Sequence, residues 1–158
     1  MKKFKEYTTT KKLSLDERYM KFALKAAEDA KSKGEKAIGA VLVWPNHVLS
    51  DCPSQYEEGD CTAHAVINVL RKATQMFTRH LSEAVLYTTI EPCLMCAMAA
   101  HYAGIQEMVY GCFDVARGFH STNLLKEGVE LAFVSRGGIL AEECYDMADN
   151  AEYLRIEA

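Results

Sequence analysis

One pattern constrains this chain more than any other, a histidine followed further along by Pro-Cys-x-x-Cys. The histidine is His64, and the two thiols are Cys93 and Cys96, in the segment Glu91–Cys96. Two thiols at this spacing at the start of a helix can bind one metal ion, because the helix N-terminus favours negative charge and lowers thiol pKa values. Two cysteines and one histidine are a catalytic zinc set, whose fourth position stays open to water. The pattern therefore predicts zinc on His64, Cys93 and Cys96.

The Cys-x-x-Cys spacing alone has other interpretations. A redox pair of the thioredoxin type has the same spacing, and a metal-free pair is the third alternative. Zinc is favoured because Glu91-Pro92 follows a strand signal and because His64 opens the preceding helix. The other four cysteines are expected to be free thiols, including Cys61, which lies near His64 in sequence. The other four histidines, His120 among them, are expected to be ordinary surface or core residues.

Length and composition are those of one globular domain. The chain has 158 residues, 49% of them hydrophobic and 25% charged, which is enough for a continuous core. Its net charge of −4 argues against general nucleic-acid binding. No apolar stretch reaches the length of a membrane span, and no signal-peptide core follows the N-terminal lysines. We therefore expect a single cytoplasmic domain over 1–158, with reduced cysteines and a flexible basic arm at 1–13.

Helix and strand signals alternate along the chain. Ser14 and Glu17 form a capping box, which predicts a helix over 15–33. Pro92 is expected to be the first residue of a helix that ends before Gly104. Other signals predict helices over 62–74, 122–127 and 139–154, and strands over 38–44, 47–50, 84–89, 107–110 and 129–135. This order indicates an α/β domain in which helices cover a mixed sheet.

Four segments together resemble the cytidine deaminase-like zinc deaminase superfamily, whose motif is H-x-E…P-C-x-x-C. The segments are Thr62–Ala65, Tyr87–Cys96, Val109–Gly111 and Gly138–Cys144, within a resemblance that extends over about 15–152. The chain is most similar to the branch of tRNA adenosine deaminases and guanine deaminases. The resemblance implies a three-layer α/β/α sandwich with a five-stranded mixed sheet, the zinc ligands named above, and a homodimer or heterodimer. It also implies hydrolytic removal of an exocyclic amine from a purine or pyrimidine by a zinc-activated water.

Two positions depart from the family's pattern. Val66 occupies the position of the glutamate that carries protons between water, ring nitrogen and leaving ammonia, and valine carries none. Packing is therefore its expected role. Ser54 stands where the family places a base-binding asparagine, and its side chain has less reach. The resemblance further implies that the Ala65 backbone N–H faces the substrate, and that Glu91 either supports the zinc ligands or acts as a substitute base.

Two functions remain open at this stage. The first is a zinc-dependent nucleobase or nucleoside deaminase that Val66 leaves very weak. The second is an inactive pseudoenzyme subunit that dimerises and supports or regulates a deaminase partner, as the resemblance to tRNA adenosine deaminases allows. The last predicted helix is acidic, with Glu142, Glu143 and Asp146, whereas an RNA backbone requires positive charge. A small nucleobase or nucleoside is therefore favoured over tRNA as the ligand.

Overall fold

The computed structural model describes residues 12–122 and 127–148. Five strands are present in this part of the chain: β1 (Ala40–Trp44), β2 (His47–Asp51), β3 (Val85–Ile90), β4 (Glu107–Cys112) and β5 (Val134–Arg136). The α-helices are α1 (Leu15–Ser32), α2 (Gln55–Glu58), α3 (Ala65–Met76), α4 (Leu94–Tyr102) and α5 (Ala141–Ala148), and a 3-10 turn covers Phe119–Ser121. Most of the predicted N-terminal arm, most of the predicted helix over 122–127 and the end of the last predicted helix lie outside the described residues.

The strands form one mixed sheet in the order β2-β1-β3-β4-β5. Strand β1 runs antiparallel to both β2 and β3, whereas β3, β4 and β5 are parallel. The predicted five-stranded mixed sheet is therefore confirmed. Its register places Ala40 opposite Thr88 and Ile90 opposite Cys112, so the start of β1 and the ends of β3 and β4 share one edge of the sheet.

Helices cover both faces of this sheet because successive strand residues point to opposite sides. Leu86 and Met108 belong to the buried cluster under α3 and α4. Their neighbours Tyr87 and Val109 belong to the cluster on the other face, under α1 and α5. The alternation in β3 and β4 therefore produces the three layers that the resemblance implied.

The capping box at the start of α1 is confirmed. Ser14 Oγ accepts a hydrogen bond from the Glu17 backbone N–H, and the Glu17 carboxylate accepts one from the Ser14 backbone N–H. Within the described residues, no helix is both long enough and apolar enough to cross a bilayer.

The strand predicted over 129–135 is shorter in the structure, where β5 has only three residues. Leu131 and Phe133 pack against the cluster under α3 and α4, and the Ala132 backbone N–H donates to His101 Nδ1 at 3.0 Å. The His101 side chain of α4 thus accepts a main-chain hydrogen bond that a neighbouring strand would otherwise accept. The apolar residues of this segment therefore reflect burial and not strand pairing.

Two helices also begin later than predicted. Helix α3 begins at Ala65 and not at 62, and α4 begins at Leu94 and not at Pro92. In each case the residue just before the helix is a predicted zinc ligand, and this displacement shapes the site.

Candidate metal centre and its cavity

The helix-capping positions bring the predicted ligands together. His64 is the N-cap of α3 and Cys93 is the N-cap of α4, and both have extended backbone angles. Neither side chain makes a capping hydrogen bond, so both remain available to a metal ion. Cys96 follows in the first turn of α4, facing the same point. Because α3 and α4 pack side by side on one face of the sheet, the three side chains converge at the end of β3.

The distances between the ligand atoms fit zinc. His64 Nδ1 lies 3.7 Å from Cys93 Sγ and 3.5 Å from Cys96 Sγ. Tetrahedral zinc, with bonds of about 2.3 Å to sulfur and about 2.0 Å to nitrogen, requires S···N separations of about 3.5 Å. The three ligand atoms all lie within 4.8 Å of one another. The donor set and its spacing therefore suit one tetrahedral ion with a fourth position left for another ligand.

The two thiols lie close enough to change each other's pKa. The Cys96 thiol donates a hydrogen bond to Cys93, which lowers the pKa of Cys93 to about 4. The same hydrogen bond, together with burial, raises the pKa of Cys96. A bound cation would replace that proton, since metal binding deprotonates coordinating thiols.

A cavity of about 90 Å³ opens beside the three ligands. Its walls are largely apolar, with Ile38, Pro53, Val66 and Ile90 among them. The Val66 side chain lies in the first turn of α3, is only 3% exposed and packs in the cluster under α3 and α4. Ala65 also lines the cavity.

Glu91 is held in the cavity wall by a network that turns its carboxylate towards the loop after β4. Glu91 Oε2 accepts from the Asp114 backbone N–H at 3.1 Å, and Oε1 accepts from the His120 backbone N–H at 3.0 Å. The His120 ring also lies against it, with Nδ1 2.8 Å from Oε1. Gly118 must be a glycine here, because an added Cβ would lie 2.3 Å from the Glu91 carboxylate. Glu91, which directly precedes Pro92 and Cys93, thus connects the zinc-binding turn to the loop after β4.

Ser54 is not brought into this cavity. Its hydroxyl donates to Glu58 Oε1 at 2.7 Å and accepts from Asn68 Nδ2 at 2.9 Å, so it faces a separate polar cleft. Pro53 and Gln55, on either side of it, line the cavity instead. The alternation around Ser54 follows from the turn into α2, of which Ser54 is the N-cap. Gln55 is therefore the polar residue that this segment contributes to the cavity lining, and its Nε2 donates to the Cys61 carbonyl at 2.6 Å.

Three further charged residues of the cavity lining were not predicted from the sequence. Lys36 precedes β1, and Asp114 and Arg117 follow β4, so all three sit at the sheet edge where the zinc ligands lie. His120, expected to be an ordinary histidine, is 45% exposed but pairs with the buried Glu91. The only available signal was topological, since loops at the carboxyl ends of parallel strands border one crevice.

Comparison with known proteins places this geometry among zinc deaminases. Residues 13–112 match the family profile described as "Cytidine and deoxycytidylate deaminase zinc-binding region". The tRNA-specific adenosine deaminase of Bacillus subtilis (strain 168) is 39% identical over 142 residues, which cover 85% of this chain and 87% of that protein. The tRNA-specific adenosine deaminase of Haemophilus influenzae is 36% identical over 137 residues, covering 82% of this chain and 78% of that protein.

Solved structures agree on the fold. A structure from a study of A-to-I editing by tRNA:A34 deaminases superposes with a TM-score of 0.76 at 32% identity, covering 82% of this chain and 98% of that one. The guanine deaminase of Nitrosomonas europaea superposes with a TM-score of 0.72 at 19% identity, covering 87% of this chain and 84% of that one. The second likeness supports the fold alone.

Proposed function

We propose the following function for this chain, which belongs to the cytidine and deoxycytidylate deaminase zinc-binding family. It binds zinc through His64, Cys93 and Cys96 and takes a purine or pyrimidine base or nucleoside into the adjacent cavity. Its hydrolytic deaminase activity is very weak, because Val66 occupies the position of the family's proton-carrying glutamate.

The observation that carries this proposal is the placement of Val66. Its side chain lines the cavity beside the three ligands and is almost wholly buried. Bound zinc would supply Lewis-acid activation of a water molecule there. Deamination also needs a group that takes a proton and returns it to the base and the leaving ammonia, and such acid–base work is commonly worth about 10²- to 10⁴-fold in rate. An isopropyl side chain has no proton to transfer.

No other carboxylate among the described residues is placed to take over that task. Of the carboxylates in this part of the chain, only those of Glu91 and Asp114 line the cavity. Both oxygens of Glu91 accept main-chain N–H groups, and Asp114 Oδ1 accepts from Ala116 and Arg117 at 3.1 and 2.9 Å. Both acids are thus turned into the loop after β4. We assign Glu91 the role of positioning the zinc-binding turn and not that of a base.

A second candidate is a non-catalytic subunit that supports a deaminase partner. It is favoured by an apolar face of α4, the helix that carries Cys96. Met95 is 38% exposed and Tyr102 is 77% exposed. Apart from His101, the other residues of α4 are all leucine, methionine, cysteine or alanine. A second chain of the same fold would cover this face and lie next to the metal site. Under this candidate the cavity binds a base without turnover.

The experiment that tests the proposal measures zinc content, base binding and turnover on the same purified protein. Ammonia release would be assayed with guanine, adenosine, cytosine and cytidine, and binding of each by calorimetry. We expect about one zinc per chain, measurable binding of at least one compound, and turnover far below the ordinary range of about 1 to 10³ per second. Turnover within that range would refute the assignment of Val66. A zinc content below about half an equivalent, after growth in zinc, would refute the metal site.

Partner dependence separates the two candidates. Sedimentation would establish whether the chain is a dimer, and a Tyr102→Glu variant would test the α4 face. A dimer that the variant dissociates identifies the α4 face as an interface, which both candidates allow. The two candidates are separated by turnover, because the weak enzyme releases ammonia on its own, whereas the subunit candidate raises ammonia release only when an active deaminase partner is added.

A further inference from the structure

Ser135, His120 and Glu91 are aligned in the order of a nucleophile, a base and an orienting acid. Ser135 Oγ lies 3.3 Å from His120 Nε2, and His120 Nδ1 lies 2.8 Å from Glu91 Oε1. A serine hydroxyl beside a histidine that a carboxylate orients is the arrangement of a catalytic triad, in which the first contact is often longer before substrate binds. None of the three residues is a predicted zinc ligand, so they form a candidate site separate from the metal centre.

The sheet brings these three residues together from distant parts of the chain. Glu91 directly follows β3, His120 lies in the 3-10 turn after β4, and Ser135 is the middle residue of β5. Because Ser135 is opposite Met108 in the parallel pair of β4 and β5, its side chain faces the same side of the sheet as that methionine. The 3-10 turn lies on that side too, since Phe119 packs in the same cluster as Met108. The imidazole of His120 therefore connects the end of β3 to the edge strand β5.

The partners of His120 hold its ring in the form that a general base needs. The buried Glu91 carboxylate is fixed by the main-chain N–H groups of His120 and Asp114, at 3.0 and 3.1 Å. An ionised carboxylate only accepts hydrogen bonds, so the proton of the neutral imidazole lies on Nδ1. The lone pair on Nε2 then faces the Ser135 hydroxyl. The ring of Phe119, with its centroid 4.0 Å from that of His120, restrains the imidazole further.

The surroundings of Ser135 suit a small ester with an aromatic leaving group. Ser135 is partly exposed on β5, which is the edge strand of the described sheet. The Val134 backbone N–H donates to the Gln106 carbonyl at 2.9 Å, so the N–H of Ser135 points away from β4, because N–H groups alternate in direction along an edge strand. That N–H can stabilise the negative oxygen that forms when the hydroxyl attacks a carbonyl. Phe113 is 51% exposed and lies against Gly137, two residues after Ser135, where it offers an apolar surface to an aromatic ring.

We propose that Ser135, His120 and Glu91 hydrolyse small aryl esters, an activity separate from deamination. Ser135 Oγ bonds to the ester carbonyl carbon while His120 Nε2 takes the hydroxyl proton, and the carbonyl π electrons move to the oxygen. Their return breaks the bond to the leaving phenol, which receives the proton from Nε2. Water then attacks the acyl group on Ser135 by the same proton route, which releases the carboxylic acid and restores the hydroxyl. Glu91 is a positioning residue that stabilises the imidazolium formed in each step.

Covalent labelling and ester hydrolysis by the purified full chain test this proposal. A fluorophosphonate probe forms an Oγ–P bond with an activated serine and releases fluoride, so mass spectrometry should find about one probe per chain, on Ser135. Hydrolysis of p-nitrophenyl acetate should fall by about 10²-fold in Ser135→Ala and in His120→Gln, the low end of the range for general-base catalysis. Ser135→Cys should still release nitrophenol, because a thiol is also a nucleophile, whereas a purely structural hydroxyl would make this variant behave like Ser135→Ala.

Matched controls come from β2, the strand at the opposite edge of the sheet. Ser50 and His47 are both exposed there, and neither Ser50→Ala nor His47→Gln should change the rate. Removal of zinc by a chelator should also leave the rate unchanged. The proposal is overturned if the probe does not label Ser135 in the original chain, if Ser135→Ala keeps the full rate, or if His47→Gln loses as much as His120→Gln, which would assign hydrolysis to surface imidazoles. The result is independent of the deaminase proposal, which is tested by ammonia release.

Discussion

Restoring a carboxylate at position 66 is the sharpest test of the site. Val66 lines the cavity from the first turn of α3. It comes directly after the predicted zinc ligand His64 and the cavity-lining Ala65. A Val66→Glu side chain would begin at the same Cβ and extend into the cavity beside the metal ligands. If the scaffold is otherwise competent, the rate should rise by about 10²- to 10⁴-fold, which corresponds to about 2.7 to 5.4 kcal/mol of transition-state stabilisation.

The same substitution should lower folding stability. Val66 is 3% exposed and packs in the cluster under α3 and α4, so the variant loses a buried apolar group and gains a poorly solvated carboxylate. Each of these changes costs about 1 to 3 kcal/mol. The positive charge of bound zinc offsets part of that cost, so the destabilisation should be larger in the metal-free protein than in the zinc-loaded one.

The assay compares ammonia release by the original chain, Val66→Glu and Val66→Gln, each at a measured zinc content. Glutamine matches glutamate in size and transfers no proton, so Val66→Gln should show the change in stability without the gain in rate. The reasoning is refuted if Val66→Glu folds, binds zinc and binds a base but turns over no tested base, nucleoside or nucleotide faster than the original chain. Equal gains for Val66→Glu and Val66→Gln would also refute it, because they would assign the effect to shape.

Three further predictions concern the metal, the loop after β4 and the buried thiols. Cys96→Ser should abolish the stabilisation that zinc confers on the original chain, about 4 kcal/mol at a thousandfold excess over Kd, as measured by denaturation with and without a chelator. Gly118→Ala should weaken zinc binding and lower the free energy of unfolding by about 2 kcal/mol or more, because its Cβ would lie 2.3 Å from the Glu91 carboxylate. Gly34→Ala is the control, since an added Cβ there has no neighbour within 4 Å. It should lower the free energy of unfolding by about 1 kcal/mol and leave zinc affinity unchanged. Burial raises the pKa of Cys112 to about 11 and that of Cys144 to about 12, from about 9 in the unfolded chain. The folded state therefore keeps protons that the unfolded chain releases, so unfolding free energy should fall by about 1.4 kcal/mol per pH unit per thiol between pH 9 and 11. Urea denaturation of Cys112→Ala should show a slope smaller by about 1.4 kcal/mol per pH unit than that of the original chain, and an unchanged slope would contradict the assignment.

Local signals predicted most of the fold. The capping box at Ser14 and Glu17 marked the start of α1 because it depends on residues only three positions apart. The central strands were predicted within one or two residues, because their apolar runs are buried on both faces. The prediction of a strand over 129–135 was wrong in extent, because Leu131 and Phe133 are apolar for a different reason, burial beneath α4.

The helix starts at 62 and at Pro92 were also wrong, by two or three residues. Composition does not reveal that His64 and Cys93 adopt extended backbone angles as N-caps. The shift matters for function, since a ligand at the capping position projects away from the helix and towards the end of β3.

The identity of the zinc-binding atoms and the lack of a proton carrier at position 66 follow from residue type and spacing along the chain alone. The packing of the folded chain sets which neighbouring side chains reach the cavity. It turned Ser54 towards Asn68 and left Gln55 at the cavity, and it joined Glu91 to His120. These choices depend on contacts between segments that are distant along the chain, on which local periodicity carries no information.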